Sequence, residues 1–334
     1  MKEEHIEKIK NRKIKMAICY DFDKTLSPKD MQEFTLIPSF GIDSGEFWTK
    51  SNALAKANLM DTNLAWMHQL IKYSEFNGKS IRKEYFKEVG EKVELYKGVD
   101  TWFDRINKYA KSRGIEVEHY IISSGLKEII EGSLISKFFK RIYASTYLYS
   151  TDGIAIWPAQ AVNYTNKTQF IFRIAKGFLE EYDERVNDSM HDSQLEIPYE
   201  NIIYIGDSAT DIPCMRLVKS KGGHSIGVFD PEKDQRKKVY KLFNDKRIDL
   251  YTSADYSARS QLSQYVKLII DEISAREKKN TEKKILALSA DAYKMYSLVE
   301  ATIEIGAENM TKKQKAKMED SAKELLGFID GKID

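Results

Sequence analysis

CYDFDKTLSP, residues 19–28, sets two aspartates, Asp21 and Asp23, directly behind an almost unbroken apolar run and follows them with Thr25. The run, within KIKMAICYDFD, has the continuous apolarity of a strand in a parallel sheet covered on both faces. Side chains alternate along a strand, so Asp21 and Asp23 project the same way while Phe22 and Lys24 point elsewhere. In an open α/β sheet, ligands bind beyond the carboxyl ends of the strands. One aspartate there reads most simply as a helix cap. A pair on one face calls for another explanation.

Working outward from this strand, residues 30–96 show apolar residues at three and four spacing in MQEFTLIPSF, in EFWTKSNALAKANLMDTNLAWMHQLIKY and in SIRKEYFKEVGEKVELY. That spacing predicts helices, divided by breakers at Pro38, Gly41, Gly45, Asn77 and Gly78. GVDTWFDRINKYAKSRG predicts an amphipathic helix ended by Gly114. VEHYIISSG follows as a second buried strand and LKEIIEGSLISKFF as a helix. RIYASTYLYSTDGIAIWPAQAV predicts a strand and a hairpin turning at Thr151-Asp152-Gly153, with Trp157 in the core. NKTQFIFRIAKGFLEEYDERV is expected to be helical throughout, ahead of a polar loop. IIYIGDS is a third buried strand, HSIGVF and IDLYTSAD are two more, and YSARSQLSQYVKLIIDEIS is a helix. Strands alternating with helices predict a doubly wound, Rossmann-like parallel sheet. The expected division is a core of residues 1–29 and 97–274, a helical cap of residues 30–96 inserted after the first strand, and a charged helical extension of residues 275–334.

The chain has 334 residues, 42% hydrophobic and 31% charged, with 53 Lys+Arg against 51 Asp+Glu and a net charge of +2. That near balance gives no basis for nucleic-acid or membrane-surface binding. Two cysteines, Cys19 and Cys214, make no disulfide framework and suit a reducing compartment. The opening MKEEHIEKIKNRK has no apolar segment, and no run approaches the roughly 18 apolar residues needed to cross a bilayer. The expectation is a cytoplasmic protein.

A second acidic pair, Asp207 and Asp211, follows the third strand in GDSATD, where Gly206 allows a sharp turn. Four carboxylates meeting in one crevice would repel one another unless a cation sat among them. Oxygen ligands without neighbouring His or Cys favour Mg²⁺, which tends to share its shell with a substrate phosphate. The expected metal residues are thus Asp21, Asp23, Asp207 and Asp211.

The chain resembles the haloacid dehalogenase (HAD) superfamily, within its phosphoserine-phosphatase-like group, over roughly residues 14 to 270. DFDKT resembles the first motif and GDSATD the fourth. IISSG places Ser123 where the second motif's Ser or Thr falls, and Lys167 in NKT stands where the third motif's lysine falls. LYKGVDTWFDRI also resembles the helix that precedes the second strand in that group. Relatives often carry glycine directly after the second-motif serine. This chain has Ser124 there, so Ser123 and Ser124 both stand as phosphate-binding candidates.

The resemblance implies a Mg²⁺-dependent phosphomonoesterase working through an aspartyl-phosphate. Asp21 would be the nucleophile, with Mg²⁺ held by Asp21, the main-chain carbonyl of Asp23 and Asp207. Asp23 would act as general acid and then base. Lys167 would supply positive charge across the phosphate, and Ser123 would donate to a phosphoryl oxygen. Thr25, counted with Ser123, Ser124 and Lys167 among the phosphate-binding residues, would tie the loop after the first strand through its hydroxyl. Asp211 would orient Lys167 or a metal water. In the family an insertion at residues 30–96 is a mobile cap that selects the substrate. Glu33, Trp48, Trp66, His68 and Arg82 are the cap side chains with the chemistry for substrate contact. The expected partner is a small phosphorylated metabolite. A phosphotransferase or mutase using the same intermediate, and a non-catalytic phosphate-binding scaffold, are the alternatives.

Overall fold

The computed structural model describes residues 13–233, 236–306 and 310–330. The hydrophilic start at residues 1–12, and residues 307–309 and 331–334 of the expected extension, lie outside the described residues.

The first strand, β1 (Ile14–Tyr20), is followed by 3-10 turns at Met31–Glu33 and Pro38–Phe40. Three helices complete the insertion: α1 (Ser44–Asn58), α2 (Thr62–Phe76) and α3 (Lys83–Gly90). The Asp43 side chain caps α1 by accepting from Glu46 N, and Asp61 caps α2 by accepting from Asn63 N and Leu64 N. Next come α4 (Val99–Lys111), β2 (Ile115–Leu126), α5 (Lys127–Gly132), and the hairpin of β3 (Phe139–Tyr149) and β4 (Ala155–Gln160). Then follow α6 (Thr168–Lys176), β5 (Ile202–Gly206), α7 (Ile212–Ser220) and β6 (His224–Phe229). Last are α8 (Arg236–Asn244), β7 (Leu250–Ser253), α9 (Gln261–Gly306) and α10 (Lys312–Asp330).

The strands form one seven-stranded sheet in the order β4-β3-β2-β1-β5-β6-β7. β1 pairs with β5, β2 with β3, β5 with β6 and β6 with β7, all in parallel, while β3 and β4 pair antiparallel. Chain order therefore reverses direction across the sheet at β1 and β5. The carboxyl ends of two strands that diverge in this way leave a crevice, and DFDKT and GDSATD both emerge there.

One face of the sheet buries Cys19, Tyr143 and Tyr204 against Phe170 and Ile174 of α6 and Met215 and Val218 of α7. Tyr143 and Phe170 stack with ring centroids 4.4 Å apart. Tyr20 belongs to a separate buried polar chain. The Trp102 Nε1–H donates to Tyr20 Oη at 2.8 Å, and Tyr20 Oη lies 3.0 Å from His119 Nδ1. His119 Nε2 lies 2.9 Å from Asn107 Oδ1. Tyr20 can donate to Nδ1 only if the ring proton is on Nε2, where Asn107 accepts it.

Several elements depart from the sequence reading. MQEFTLIPSF forms two 3-10 turns because Pro38 interrupts it. The helix after Lys167 stops at Lys176, where Gly177 adopts φ +79° and closes it. The following residues are loops and a short 3-10 turn at Glu184–Asn187. Trp157, expected in the core, is 68% exposed, since β4 is an edge strand. Helix α8 was not anticipated, because charged residues surround its few apolar positions.

The chain divides into two compact units, Lys15–Asp271, and residues 1–14 with 272–334. Residues 30–96 fall within the first. In the second, Ile273, Ile285, Ala292 and Ala322 are buried, while Leu286, Tyr293 and Leu298 are exposed. Among the described residues no helix is long and apolar enough to cross a membrane.

Candidate active site

Asp21 is the first residue past β1, and its N–H still donates to Ile205 O of β5 at 3.0 Å. The chain then turns tightly, with Lys24 in the left-handed region at φ 59°. A non-glycine residue there costs on the order of 1–2 kcal/mol. Lys24 Nζ pairs with Asp30 Oδ2 at 2.6 Å, which helps hold the turn.

Asp21, Asp207 and Asp211 each present a carboxylate oxygen within 4.8 Å of the others. Lys167, at the head of α6 and fully buried, sits among them. Its Nζ is 2.8 Å from Asp211 Oδ1 and 3.3 Å from Asp21 Oδ1. Asp211 Oδ1 also accepts from Tyr204 Oη at 2.8 Å, and Asp211 Oδ2 accepts from Ser208 N and Oγ at 3.2 and 3.1 Å. Gly206 is what lets Asp211 lie so close. A Cβ on Gly206 would meet Asp211 Oδ2 at 2.6 Å. Asp207 differs from its neighbours, making no hydrogen bond or ion pair among the described residues.

The electrostatics follow from this crowding. Burial, then the Asp211 charge, push Asp21 up to about 6 against the pull of Lys167. Burial and the charges of Asp211 and Asp21 push Asp207 well above the usual carboxylate range. Burial opposes the charge on Lys167, but Asp21 and Asp211 more than offset it and hold the ammonium protonated. Asp21 and Asp211 share a single buried ammonium, and the third carboxylate, Asp207, has no partner among the described residues. An all-oxygen set with excess negative charge fits a hard divalent cation.

Asp23 is not in this group. Its Oδ1 accepts from Met31 N at 2.7 Å, and its Oδ2 lies against Gly125, where a Cβ would come within 2.9 Å. Burial, then the Asp30 and Asp21 charges, raise its pKa well above the ordinary value. Asp23 lines a cavity of about 210 Å³ bounded by the strand ends and by residues of α1 and α2. The four expected metal side chains thus sort into three that converge and one, Asp23, that faces the cavity.

Ser123 Oγ accepts from Gly125 N at 3.1 Å, which leaves its proton free to donate. Ser124 Oγ is buried without a partner, and Ser124 lines the cavity. Thr25 does not tie its loop by its hydroxyl. Its Oγ1 is buried with no hydrogen bond, and the tie is instead Tyr256 Oη donating to Thr25 O at 2.9 Å. Trp48 and Trp66 line the cavity, and Trp48 Nε1–H donates to Glu33 Oε1 at 2.7 Å. Arg82 lies elsewhere, bonding Asp152 O at the hairpin turn, and His68 is exposed. Sequence reading passed over Tyr204 and Gln32. Tyr204 looked like any apolar strand residue, and Gln32 gave no signal.

The profile of the haloacid dehalogenase-like hydrolases matches residues 18–216. An uncharacterized protein of Borreliella burgdorferi is 26% identical over 275 residues, spanning 75% of this chain and 95% of that protein. A HAD-family hydrolase from Salmonella enterica serovar Typhi superposes with a TM-score of 0.51 at 20% identity, over 77% of this chain and 72% of that one. A phosphoserine phosphatase in a phospho-aspartyl intermediate analogue form gives a TM-score of 0.48 at 16% identity, over 77% and 99%. With the family profile matching over more than half its length, this chain belongs to the haloacid dehalogenase-like hydrolases.

Proposed function

We propose that this protein is a Mg²⁺-dependent phosphatase that hydrolyses a small phosphomonoester through an aspartyl-phosphate on Asp21. The observation that carries this reading is the gathering of Asp21, Asp207 and Asp211 around Lys167 at the ends of β1 and β5. Asp21, Asp207 and the main-chain carbonyl of Asp23 would hold the ion, beside an Asp211 already engaged by Lys167, Tyr204 and Ser208. When bound, Mg²⁺ neutralises the approach of an anionic nucleophile to an anionic phosphate.

The chain's own groups account for the remaining steps. An Asp21 carboxylate oxygen attacks phosphorus, and the bond from phosphorus to the ester oxygen breaks. Lys167, kept charged and oriented by Asp211, offsets charge on the phosphoryl oxygens, and the Ser123 hydroxyl donates to one of them. Asp23, with its raised pKa, gives its proton to the departing alkoxide in the cavity. It then takes a proton from the water that attacks the aspartyl-phosphate, releasing phosphate and restoring Asp21. Proton transfer of this kind typically contributes about 10²–10⁴-fold.

Purified protein is expected to release phosphate from an aryl phosphate when Mg²⁺ is present. Chelation should stop the reaction, and Asp21→Asn should reduce turnover to background. Full turnover in excess chelator, or by the Asp21→Asn variant, sinks the assignment.

A further inference from the structure

The cavity beside Asp23 has a distinctive lining. Trp48 and Trp66 form one corner of it, ring centroids 6.3 Å apart and planes at 77°. Both indole N–H groups are already used, Trp48 on Glu33 Oε1 at 2.7 Å and Trp66 on Asn63 Oδ1 at 3.2 Å. What these side chains can offer a ligand is therefore the ring itself. Gln32 lines the same cavity at 2% exposure, and its Oε1 is buried with no hydrogen-bond partner. That oxygen is sealed off from solvent, so it is not a contact for a ligand in the cavity. Asp23, the proton donor proposed above, and Asp30, paired with Lys24, complete the wall. Among the described residues no Lys, Arg or His lines the cavity, and the nearby Lys24 is paired with Asp30 at 2.6 Å.

Two ring faces whose indole N–H groups are both engaged, in a lining without a cation among the described residues, favour a positively charged ligand. The same wall repels a carboxylate, which would be desolvated with no cation to meet it. A volume of about 210 Å³ suits a small group rather than a sugar chain or nucleoside.

We propose that the substrate's leaving group is a small ammonium alcohol without a carboxylate, its cationic end held by the Trp48 and Trp66 rings. The substrate is then the phosphate monoester of an amino alcohol, an inference that rests on the phosphatase reading above. Hydrolysis releases the amino alcohol, protonated on its ester oxygen by Asp23, together with inorganic phosphate.

The test measures initial rates of the Mg²⁺-loaded full chain on six esters. These are O-phosphoethanolamine, phosphocholine, glycerol 1-phosphate, O-phosphoserine, 3-phosphoglycerate and an aryl phosphate control. At least one ammonium ester should exceed the neutral and carboxylate-bearing esters in kcat/KM by about tenfold or more, the scale of a partly desolvated cation–π contact. Asn52→Lys, which adds an ammonium at an exposed position of the lining, should lower the ratio of O-phosphoethanolamine to 3-phosphoglycerate about tenfold. Trp48→Leu should lower the same ratio mainly by raising KM for the ammonium ester. If a neutral or carboxylate ester matches or exceeds both ammonium esters, the substrate inference is overturned, while hydrolysis of the aryl phosphate leaves the phosphatase reading intact. Should no ester turn over, calorimetric titration decides. Phosphocholine binding more tightly than inorganic phosphate supports the cavity assignment, and binding no more tightly overturns it.

Discussion

Lys167 is a lysine that no water reaches, and its charge survives only because Asp21 and Asp211 lie within 3.3 and 2.8 Å. Asp211 in turn depends on Gly206, whose missing side chain is the space the carboxylate occupies. Gly206→Ala should push Asp211 off Lys167 without unfolding the chain. The expected result is about a 10–100-fold fall in turnover, as for other groups that orient a catalytic residue, with an unchanged circular dichroism spectrum. Retention of full rate would show that Lys167 does not need Asp211. The sequence made Asp21, Asp207 and Lys167 legible because each occupies a fixed place relative to a strand end or a helix start. It could not show that Asp23 separates from the other three, since that depends on how the turn brings Met31 N back to it and on Gly125 arriving from β2. Nor could it show the isolation of the Gln32 amide, a property of what surrounds the residue.

At the scale of elements, the join between β1, α4 and β2 is a buried chain of polar groups running from Trp102 through Tyr20 and His119 to Asn107. Burial pulls the His119 pKa down to about 3. In the unfolded chain a histidine titrates near 6.5, so below that pH the unfolded state binds a proton that the folded state refuses. Stability from this group is therefore constant above about pH 6.5 and falls as pH drops from there toward 3, by up to about 1.4 kcal/mol per pH unit. Urea unfolding at pH 7 and pH 5 should show the wild type losing about 2 kcal/mol more than His119→Gln over that interval. Equal losses would mean that the ring is hydrated or protonated in the folded protein. The seven strands of the described residues were legible because most are apolar runs bounded by turn residues, a pattern that survives without tertiary context, and β4 was marked by its hairpin turn. Helix ends were less so. α6 stops at Gly177 although the apolar residues continue, and α8 forms where charged residues dilute the periodic signal.

For the whole molecule, an ion that binds the folded carboxylate cluster and not the unfolded chain must stabilise the fold by mass action. At a hundred times its Kd the gain is about 2.7 kcal/mol. Thermal unfolding should accordingly shift upward by several degrees on adding Mg²⁺, and Asp207→Asn should remove the shift. A wild-type transition indifferent to Mg²⁺ would count against a resident ion. The long tail makes a separate prediction. Every residue assigned to chemistry or to the cavity lies within Lys15–Asp271, and α9 buries Leu262, Val266, Ile269, Ile270 and Ile273 in its first turns. Beyond Ser274 buried side chains become sparse, and Leu286, Tyr293 and Leu298 are exposed. A surface helix that buries so little apolar area contributes little through the hydrophobic effect. A chain ending after residue 276 should therefore fold, bind Mg²⁺ and hydrolyse an aryl phosphate within about twofold of the full-length rate, because the groups proposed to carry catalysis are all retained. The measurement is kcat/KM alongside the unfolding midpoint of the truncated chain. A tenfold loss of rate with an unchanged midpoint would place the extension in catalysis, whereas a lowered midpoint with the rate retained would make it a structural brace.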